Sequence, residues 1–409
     1  AWKYEPSQGP APAWPEPGKE WHRLDFDYAF QPVISEGQVF FGSSADDTLR
    51  ALDLGTGKLN WRFTAGGPIR LAPAASAGRI YFAADDGCAW CLDAKTGAVL
   101  WRFRGAPNER KLLGNGRMIS RWPCRSGVLV LDGVVYFSAG MWPAEGIYLY
   151  ALDAQSGRQI WRNDTSGAAY RLQPHGGASA FTGVAPQGYM AATQELLIVP
   201  SGRTTPAAYD RRTGELVWYQ PYLYLPGHPR ESWDERSSGG SWLLLAGDVY
   251  FSAVHKPSAP DIPSAMGEGG PQPGDGLAAF SLKTSRRQQV LADAELALAS
   301  GETLYAMVRG KLMALDFEKF CKSGAVAAKW SAEHGRAYSM ALAADALLVG
   351  GAAAITAYDA ASGQVLGSVN LGEQVRGIAI SARQVVAATN KGSLVCLSVG
   401  KLPQAAPTI

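Results

Sequence analysis

This 409-residue chain has no run of about 18 uncharged apolar residues, so its sequence offers no transmembrane helix. Charge is scarce: only 18% of the residues are charged, and 38 Lys and Arg nearly balance 36 Asp and Glu. The resulting net charge of +2 gives no electrostatic reason to expect a nucleic-acid partner. A hydrophobic content of 47% excludes a disordered chain.

Cysteine is also rare, and five residues in a chain of this length do not make a disulfide scaffold. Cys88 and Cys91 have C-x-x-C spacing, but Leu92 follows where covalent haem attachment needs histidine. On a strand, residues three positions apart point to opposite faces of the sheet. We therefore expect both cysteines to be small core residues.

Motifs of several common enzyme classes are absent as well. The chain has no G-x-S-x-G nucleophile elbow, no Walker A loop, no H-E-x-x-H motif and no G-x-G-x-x-G turn ahead of a helix. Its acidic loops lack the order of an EF-hand, so the sequence does not support a calcium loop of that type. No metal ligand is assigned.

What the sequence does contain is glycine, with 47 residues, tryptophan, with 13, and an internal repeat that uses both. Segments 51–61, 91–101, 151–161 and 208–218 follow the pattern A-x-D-x-x-[ST]-G-x-x-x-W, with Cys91 replacing the first alanine once. Weaker copies begin at Ala279, Ala314, Ala357 and Cys396. A β-rich run precedes nearly every copy, which indicates repeated β-sheet units.

Each residue of the repeat has a physical role. The aspartate accepts hydrogen bonds in a turn, the glycine supplies a positive φ, and the tryptophan packs against the next unit. We therefore predict an all-β fold: a single eight-bladed β-propeller over residues 20–402, after an extended arm at 1–19 and before a tail at 403–409. The ring is expected to close with strands from both chain ends, with Trp21 as the eighth packing tryptophan.

The A-x-D-x-x-T-G-x-x-x-W repeat resembles the tryptophan-docking motif of the quinoprotein-like propellers, the family labelled PQQ-binding-like after pyrroloquinoline quinone. The resemblance covers about residues 20–400 and implies the eight-bladed fold. It implies no single activity, because the family includes dehydrogenases and assembly scaffolds. It also implies an exported bacterial protein, periplasmic or secreted, whose signal or upstream segment is missing before Ala1.

In such a propeller, the links between blades and the turns between second and third strands share one face, here called the top face. Consecutive motif aspartates Asp53 and Asp93 lie 40 residues apart, whereas the next three repeats are longer. The extra residues map mostly to the top face, where long loops favour function. The candidate catalytic residues there are His175 and Tyr170. The candidate ligand-binding residues are Arg70, Arg117, Arg121, Arg171, Gln173, Arg203, Trp122 and Gln187.

Three functions stay open at this stage. Arginines and aromatic residues on the predicted top face favour an anionic small molecule, such as an acidic saccharide, that is either bound or processed without redox chemistry. An assembly scaffold with a protein partner, like the propeller lipoproteins of outer-membrane assembly, is the second. The third is a PQQ-dependent dehydrogenase, with a divalent metal beside the quinone. Against it, the chain lacks the adjacent cysteine pair of the alcohol-dehydrogenase branch. Whether the protein is an enzyme is left undecided.

Overall fold

The structure, a computed structural model, describes residues 1–13, 26–114, 116–168, 170–172, 179–181, 183–202, 204–219, 239–254 and 276–398. Within these ranges the chain forms eight four-stranded antiparallel sheets, which are the blades of the predicted propeller. Two further strand pairs form hairpins inserted between blades. The described residues contain no helix long and apolar enough to cross a membrane.

Each blade runs from an inner first strand to an outer fourth strand. Blade 1 consists of β2 (Pro32–Ser35), β3 (Gln38–Gly42), β4 (Thr48–Asp53) and β5 (Leu59–Thr64), and blade 2 of β6 (Ala74–Ser76), β7 (Arg79–Ala83), β8 (Cys88–Asp93) and β9 (Val99–Arg104). Blade 3 consists of β12 (Leu129–Leu131), β13 (Val134–Ala139), β14 (Tyr148–Asp153) and β15 (Gln159–Asn163), and blade 4 of β18 (Ala191–Ala192), β19 (Leu196–Ser201), β20 (Thr204–Asp210) and β21 (Leu216–Tyr219).

Blades 5 to 8 complete the ring. Blade 5 consists of β22 (Leu244–Ala246), β23 (Val249–Val254), β24 (Gly276–Ser281) and β25 (Arg287–Ala292), and blade 6 of β26 (Ala294–Ser300), β27 (Thr303–Val308), β28 (Lys311–Asp316) and β29 (Ala328–Glu333), with helix α1 (Phe317–Ser323) between the last two strands. Blade 7 consists of β30 (Ala337–Ala343), β31 (Ala346–Gly351), β32 (Ala354–Asp359) and β33 (Val365–Asn370), and blade 8 of β34 (Val375–Ile380), β35 (Gln384–Thr389), β36 (Leu394–Ser398) and β1 (Trp2–Tyr4). The inserted hairpins are β10 (Lys111–Gly114) with β11 (Arg117–Ser120) and β16 (Tyr170–Leu172) with β17 (Ser179–Phe181).

The core lies between blades, because every blade is covered on both faces. On β3, the fully buried Phe40 packs with Ile80 of blade 2, and the next residue, Phe41, packs with Val386 of blade 8. Successive side chains of a strand point to opposite faces, so a strand covered on both sides reads as continuous hydrophobic sequence. This explains the β-rich runs that precede the repeats.

The repeat turn connects the third and fourth strands. In blade 1, Asp53 Oδ1 accepts hydrogen bonds from the Thr56 backbone N at 2.8 Å and from Thr56 Oγ1 at 2.7 Å. Gly57 follows with φ of 71°, a conformation that favours glycine. The same carboxylate contacts recur at Asp93, Asp153 and Asp359, and hydrogen bonding lowers the pKa of these aspartates.

Each docking tryptophan reaches the turn of the next blade. The indole Nε1 of Trp61 donates to Ala94 O at 3.0 Å, and its ring covers Gly97, where a Cβ would lie 2.7 Å away. Equivalent bonds join the following pairs: Trp101 to Ala154, Trp161 to Arg211, Trp218 to Leu282 and Trp330 to Ala360. Each indole therefore fastens one blade to the next.

The ring closes as expected through both chain ends, but with a different tryptophan. Strand β1 pairs with β36, and Trp2 Nε1 donates to Leu54 O at 2.7 Å while its ring covers Gly57. The expectation that Trp21 fills the eighth docking position is therefore wrong, because Trp2 occupies it. Residues 14–25 lie outside the described residues, as does the tail predicted at 403–409.

Two blades lack a docking tryptophan, and the structure gives the reason. The equivalent positions are Gln289 in blade 5 and Gly367 in blade 7. After Gln289, the next blade replaces its tight turn with helix α1, capped by Asp316. After Gly367, the next blade has no such turn, because its fourth strand comes from the other end of the chain. A docking tryptophan thus appears only where the next blade offers a turn to receive it.

Candidate functional site

The top face of blades 1 to 3 holds four buried charged residues, here called the charge cluster: Asp27, Arg70, Asp85 and Arg125. Three of them lie in links that lead into blades 1, 2 and 3, and Asp85 lies in the turn between β7 and β8. Because these links and turns meet on one face, residues distant in sequence come together here.

The geometry of the charge cluster is that of a closed network. Arg70 Nε donates to Asp85 Oδ2 at 2.7 Å, and Arg70 Nη1 donates to Asp27 Oδ2 at 2.7 Å. Arg125 Nε and Nη2 each reach a carboxylate oxygen of Asp85 at 3.3 Å. Two guanidinium groups thus face two carboxylates, and the formal charges balance.

Burial and ion pairing oppose each other in this network. Burial raises the pKa of Asp27, although the nearby Arg70 counteracts it. Burial alone would lower the pKa of Arg70, but attraction to Asp85 and Asp27 raises it. Asp27 Oδ1 is buried without a hydrogen-bond partner among the described residues. The cluster therefore stays together because both signs are present, and removal of either would leave an uncompensated buried charge.

The charge cluster also holds the N-terminal segment on the top face. Arg70 Nη1 donates to Ala11 O at 2.9 Å, and the backbone N of Ala13 donates to Asp27 Oδ2 at 2.9 Å. Ala11 N in turn donates to Ser44 Oγ at 3.0 Å. Ala13 packs with Phe26 and Leu71 in a small buried cluster. The segment that supplies β1 is thereby tied to blades 1 and 2.

Two more of the predicted ligand-binding arginines are also paired with acids. Arg117 Nη2 contacts Asp47 Oδ2 at 2.6 Å, and its Nη1 donates to the carbonyls of Ser44 and Ala45. Arg121 forms an ion pair with Glu145 and lies over the ring of Trp122 at 5.6 Å. Acidic side chains thus neutralise Arg70, Arg117 and Arg121, so these arginines need no anionic ligand to balance their charge.

Among the described residues, the remaining predicted site residues do not come together in a single site. Trp122 is 5% exposed and donates through Nε1 to Glu145 O at 2.6 Å, so it is part of the core. Gln187 is buried beside blade 4, where its backbone N donates to Pro200 O. Tyr170 lies on hairpin β16–β17 and is 65% exposed. The backbone of Arg171 follows in the same strand. His175, Gln173 and Arg203 lie outside the described residues.

The two inserted hairpins expose large apolar side chains in cross-strand pairs. On β10–β11, Leu113 faces Met118, and the two are 72% and 56% exposed. On β16–β17, Tyr170 faces Phe181, which is 51% exposed, with the ring centres 5.4 Å apart. Cross-strand pairs stabilise a hairpin, but this exposure also leaves apolar surface available to a partner.

No cluster of three or more His, Cys, Asp or Glu suited to a metal ion occurs within the described ranges. Cys88 and Cys91 are buried free thiols, as the sequence predicts for core residues. Burial raises the pKa of both, and that of Cys91 reaches about 11. A thiol with a raised pKa is a poor nucleophile at neutral pH.

A protein-family model identifies the family to which this chain belongs. A model described as outer membrane protein assembly factor BamB matches residues 11–136 and 144–224, half of the chain. The chain belongs to this family of PQQ-like repeat propellers. The family match confirms the propeller fold that the repeat predicts, and similar solved structures share this fold.

Relatives in this propeller family include enzymes as well as assembly factors. The dehydrogenase subunit of quinone alcohol dehydrogenase from Gluconobacter oxydans is 30% identical over an alignment of length 146, and the match covers 32% of this chain and 18% of that protein. The chain thus matches about a fifth of that relative's length. BamB from Moraxella catarrhalis is 14% identical with a TM-score of 0.60, covering 92% of this chain and 98% of that one. A quinohemoprotein alcohol dehydrogenase from Pseudomonas putida is also 14% identical with a TM-score of 0.60, covering 96% and 78%.

Proposed function

We propose that this propeller is an extracytoplasmic interaction scaffold that binds a protein partner on its top face. The observation that carries the proposal is the pair of inserted hairpins, which present Leu113, Met118, Tyr170 and Phe181 to solvent. Apolar pairs this exposed favour a protein interface, where aromatic residues and methionine are enriched. The family's description as an outer-membrane-protein assembly factor supports both a scaffold role and a location in the cell envelope.

The charge cluster supports this proposal from another direction. A scaffold needs a rigid face, and the cluster fixes three links and the N-terminal segment by charge-assisted hydrogen bonds. A site for an anionic substrate would instead need positive charge left available to the ligand.

The same residues do not suit PQQ. The quinone carries carboxylates and, in dehydrogenases, works beside a metal ion. Arg70, Arg117 and Arg121 already hold carboxylates, and the described part of the chain offers no metal-ligand cluster. The arginines that could bind the carboxylates of the quinone are thus already paired with acids of the chain itself.

An acidic saccharide is the second candidate, and one observation favours it. The exposed rings of Tyr170 and Phe181 offer aromatic faces of the kind on which sugars stack. The three acid-paired arginines weigh against it, because they leave less positive charge for a uronate carboxylate.

Site-specific photo-crosslinking tests the scaffold proposal. A photoreactive amino acid is placed at Leu113 or Phe181, and at Leu59 on outer strand β5 as a control of similar exposure. In an envelope fraction of the source organism, we expect a discrete protein adduct from the two hairpin positions and none from Leu59. Equal labelling at all three positions, or tight binding of a uronate oligosaccharide or of PQQ with Ca²⁺, would contradict it.

A further inference from the structure

The outer strand of blade 7, β33, is an edge that no other part of the described chain covers. Its sequence is Val-Leu-Gly-Ser-Val-Asn, and all six residues are exposed. Val365 is 61% exposed, Leu366 56% and Val369 42%. An edge strand carries a row of unpaired backbone groups, and natural proteins usually blunt such edges with charge, proline or a covering segment.

The other described outer strands show this protection. Strands β1, β5, β9, β15, β25 and β29 each carry at least one lysine or arginine. Strand β21 carries no charge, but its Trp218 and Tyr219 are buried. Among the described outer strands, β33 alone is both free of charge and exposed along its whole length.

The centre of β33 also lacks a side chain, because it is occupied by a glycine. Gly367 stands where other blades have the docking tryptophan, and a Cβ added there would meet no atom within 4 Å. Nothing in the packing of the described residues requires glycine at this position. A small residue at the middle of an exposed edge does, however, allow another backbone to come close.

We infer that β33 is a self-association surface, which pairs antiparallel with β33 of a second copy of this chain. Across a two-fold axis at Gly367, Val365 lies opposite Val369 of the partner subunit, and Leu366 opposite Ser368 of the partner subunit. A two-fold interface is self-complementary, so a charge near the axis would lie close to its own copy. On β9, Arg102 and Arg104 would create that repulsion, whereas β33 has no charge to repel.

The size of the surface sets the strength of the dimer. One pair of six-residue strands is smaller than a standard protein interface of about 1,600 Å². We therefore expect a reversible dimer with a dissociation constant on the order of tens of micromolar, rather than a permanent one.

Sedimentation velocity of the full chain from about 1 to about 300 µM tests this, a range that brackets micromolar affinity. The parent is expected to shift from monomer towards a doubled mass. Leu366→Lys places a lysine in the pairing and should keep the protein monomeric over the whole range. Leu100→Lys is the matched control, because Leu100 also precedes the docking position, on β9, and is 46% exposed. It should dimerise like the parent.

A second variant guards against misfolding of the first. Gly367→Asp has room for its side chain and would place two carboxylates at the axis, so it should also remain monomeric while its circular dichroism matches the parent. A parent that stays monomeric at the highest concentration would overturn the inference. So would a dimer that both β33 variants leave intact, because the interface would then lie elsewhere.

Discussion

At the residue scale, the charge cluster shows why polar residues on a loop-rich face need not bind anything. The sequence predicts Arg70 as a ligand-binding residue, yet its side chain is 2% exposed and its guanidinium pairs with Asp27 and Asp85. The sequence displays the acids and the arginines but not which of them meet. Arg125 and Asp85 lie 40 residues apart, and only the packing of two blades brings them together.

Substitution of Asp85 by asparagine tests the cluster. Asp85→Asn leaves Arg70 and Arg125 buried with one carboxylate, Asp27, so the free energy of unfolding should fall by about 3–5 kcal/mol. Asp132→Asn is the matched control, because Asp132 is 65% exposed in its ion pair with Arg211. That change should cost less than about 1 kcal/mol. Urea unfolding followed by tryptophan fluorescence measures both, and equal losses would mean that the cluster contributes no more than a surface pair.

The turn aspartates predict how stability depends on pH. Hydrogen bonds to Thr56, Thr96 and their equivalents lower the pKa of Asp53, Asp93, Asp153, Asp210 and Asp359 below its ordinary value. A lowered folded pKa stabilises the protein above the unfolded pKa of about 3.9, and this contribution is lost as the pH falls towards the folded pKa.

Urea midpoints measured between about pH 6 and pH 3 should therefore decline, and Asp93→Asn, which keeps an acceptor oxygen but does not titrate, should decline less steeply. Asp27 has the opposite sign, because burial raises its pKa, so it makes the decline shallower rather than steeper. A parent and an Asp93→Asn variant with the same pH slope would contradict the assignment.

At the element scale, the repeat turn and its tryptophan form one unit, and the sequence predicts both. What the sequence could not show is the condition for a tryptophan, which is a turn in the following blade. Gln289 and Gly367 read as weakened repeats, but each faces a blade whose third and fourth strands are not joined by that turn. The sequence points to the wrong closing tryptophan, Trp21, for a related reason. Trp2 belongs to a strand with no repeat turn ahead of it, so only the pairing of β1 with β36 reveals it.

Removal of one docking indole measures how strongly blades are joined. Trp161 is 7% exposed, covers Gly214 and donates to Arg211 O at 3.0 Å. Trp161→Ala should lower the free energy of unfolding by about 3–5 kcal/mol, the range for large buried side chains. Trp142→Ala, at a site 40% exposed, should cost less than about 1 kcal/mol. Chemical denaturation of the two variants checks this, and a loss at Trp161 no greater than at Trp142 would show that the indole does not fasten the blades.

At the scale of the whole molecule, eight blades form a closed ring only because one strand comes from the opposite end of the chain. The family and the fold follow from sequence, because the repeat spans nearly the whole chain. The proposed function does not, because it rests on the top-face insertions, whose residues are not part of the repeat. His175 and Arg203 remain predictions, since they lie outside the described residues.

Ring closure itself is testable by truncation. Deletion of residues 1–4 removes β1, exposes the edge of β36 and takes Trp2 away from Leu54 and Gly57. The deletion moves the free edge of blade 8 from the lysine-bearing β1 to the uncharged, largely buried β36 and removes a contact between blades 8 and 1, so we expect the truncated protein to melt at a lower temperature and to aggregate on heating. Lys3→Ala is the control, since Lys3 pairs only with partly exposed acids and its loss leaves the strand in place. Differential scanning calorimetry with light scattering follows both events. If the truncated chain melts like the Lys3→Ala variant and stays soluble, β1 does not hold the ring closed, and the stability of the propeller resides in the contacts between its other blades.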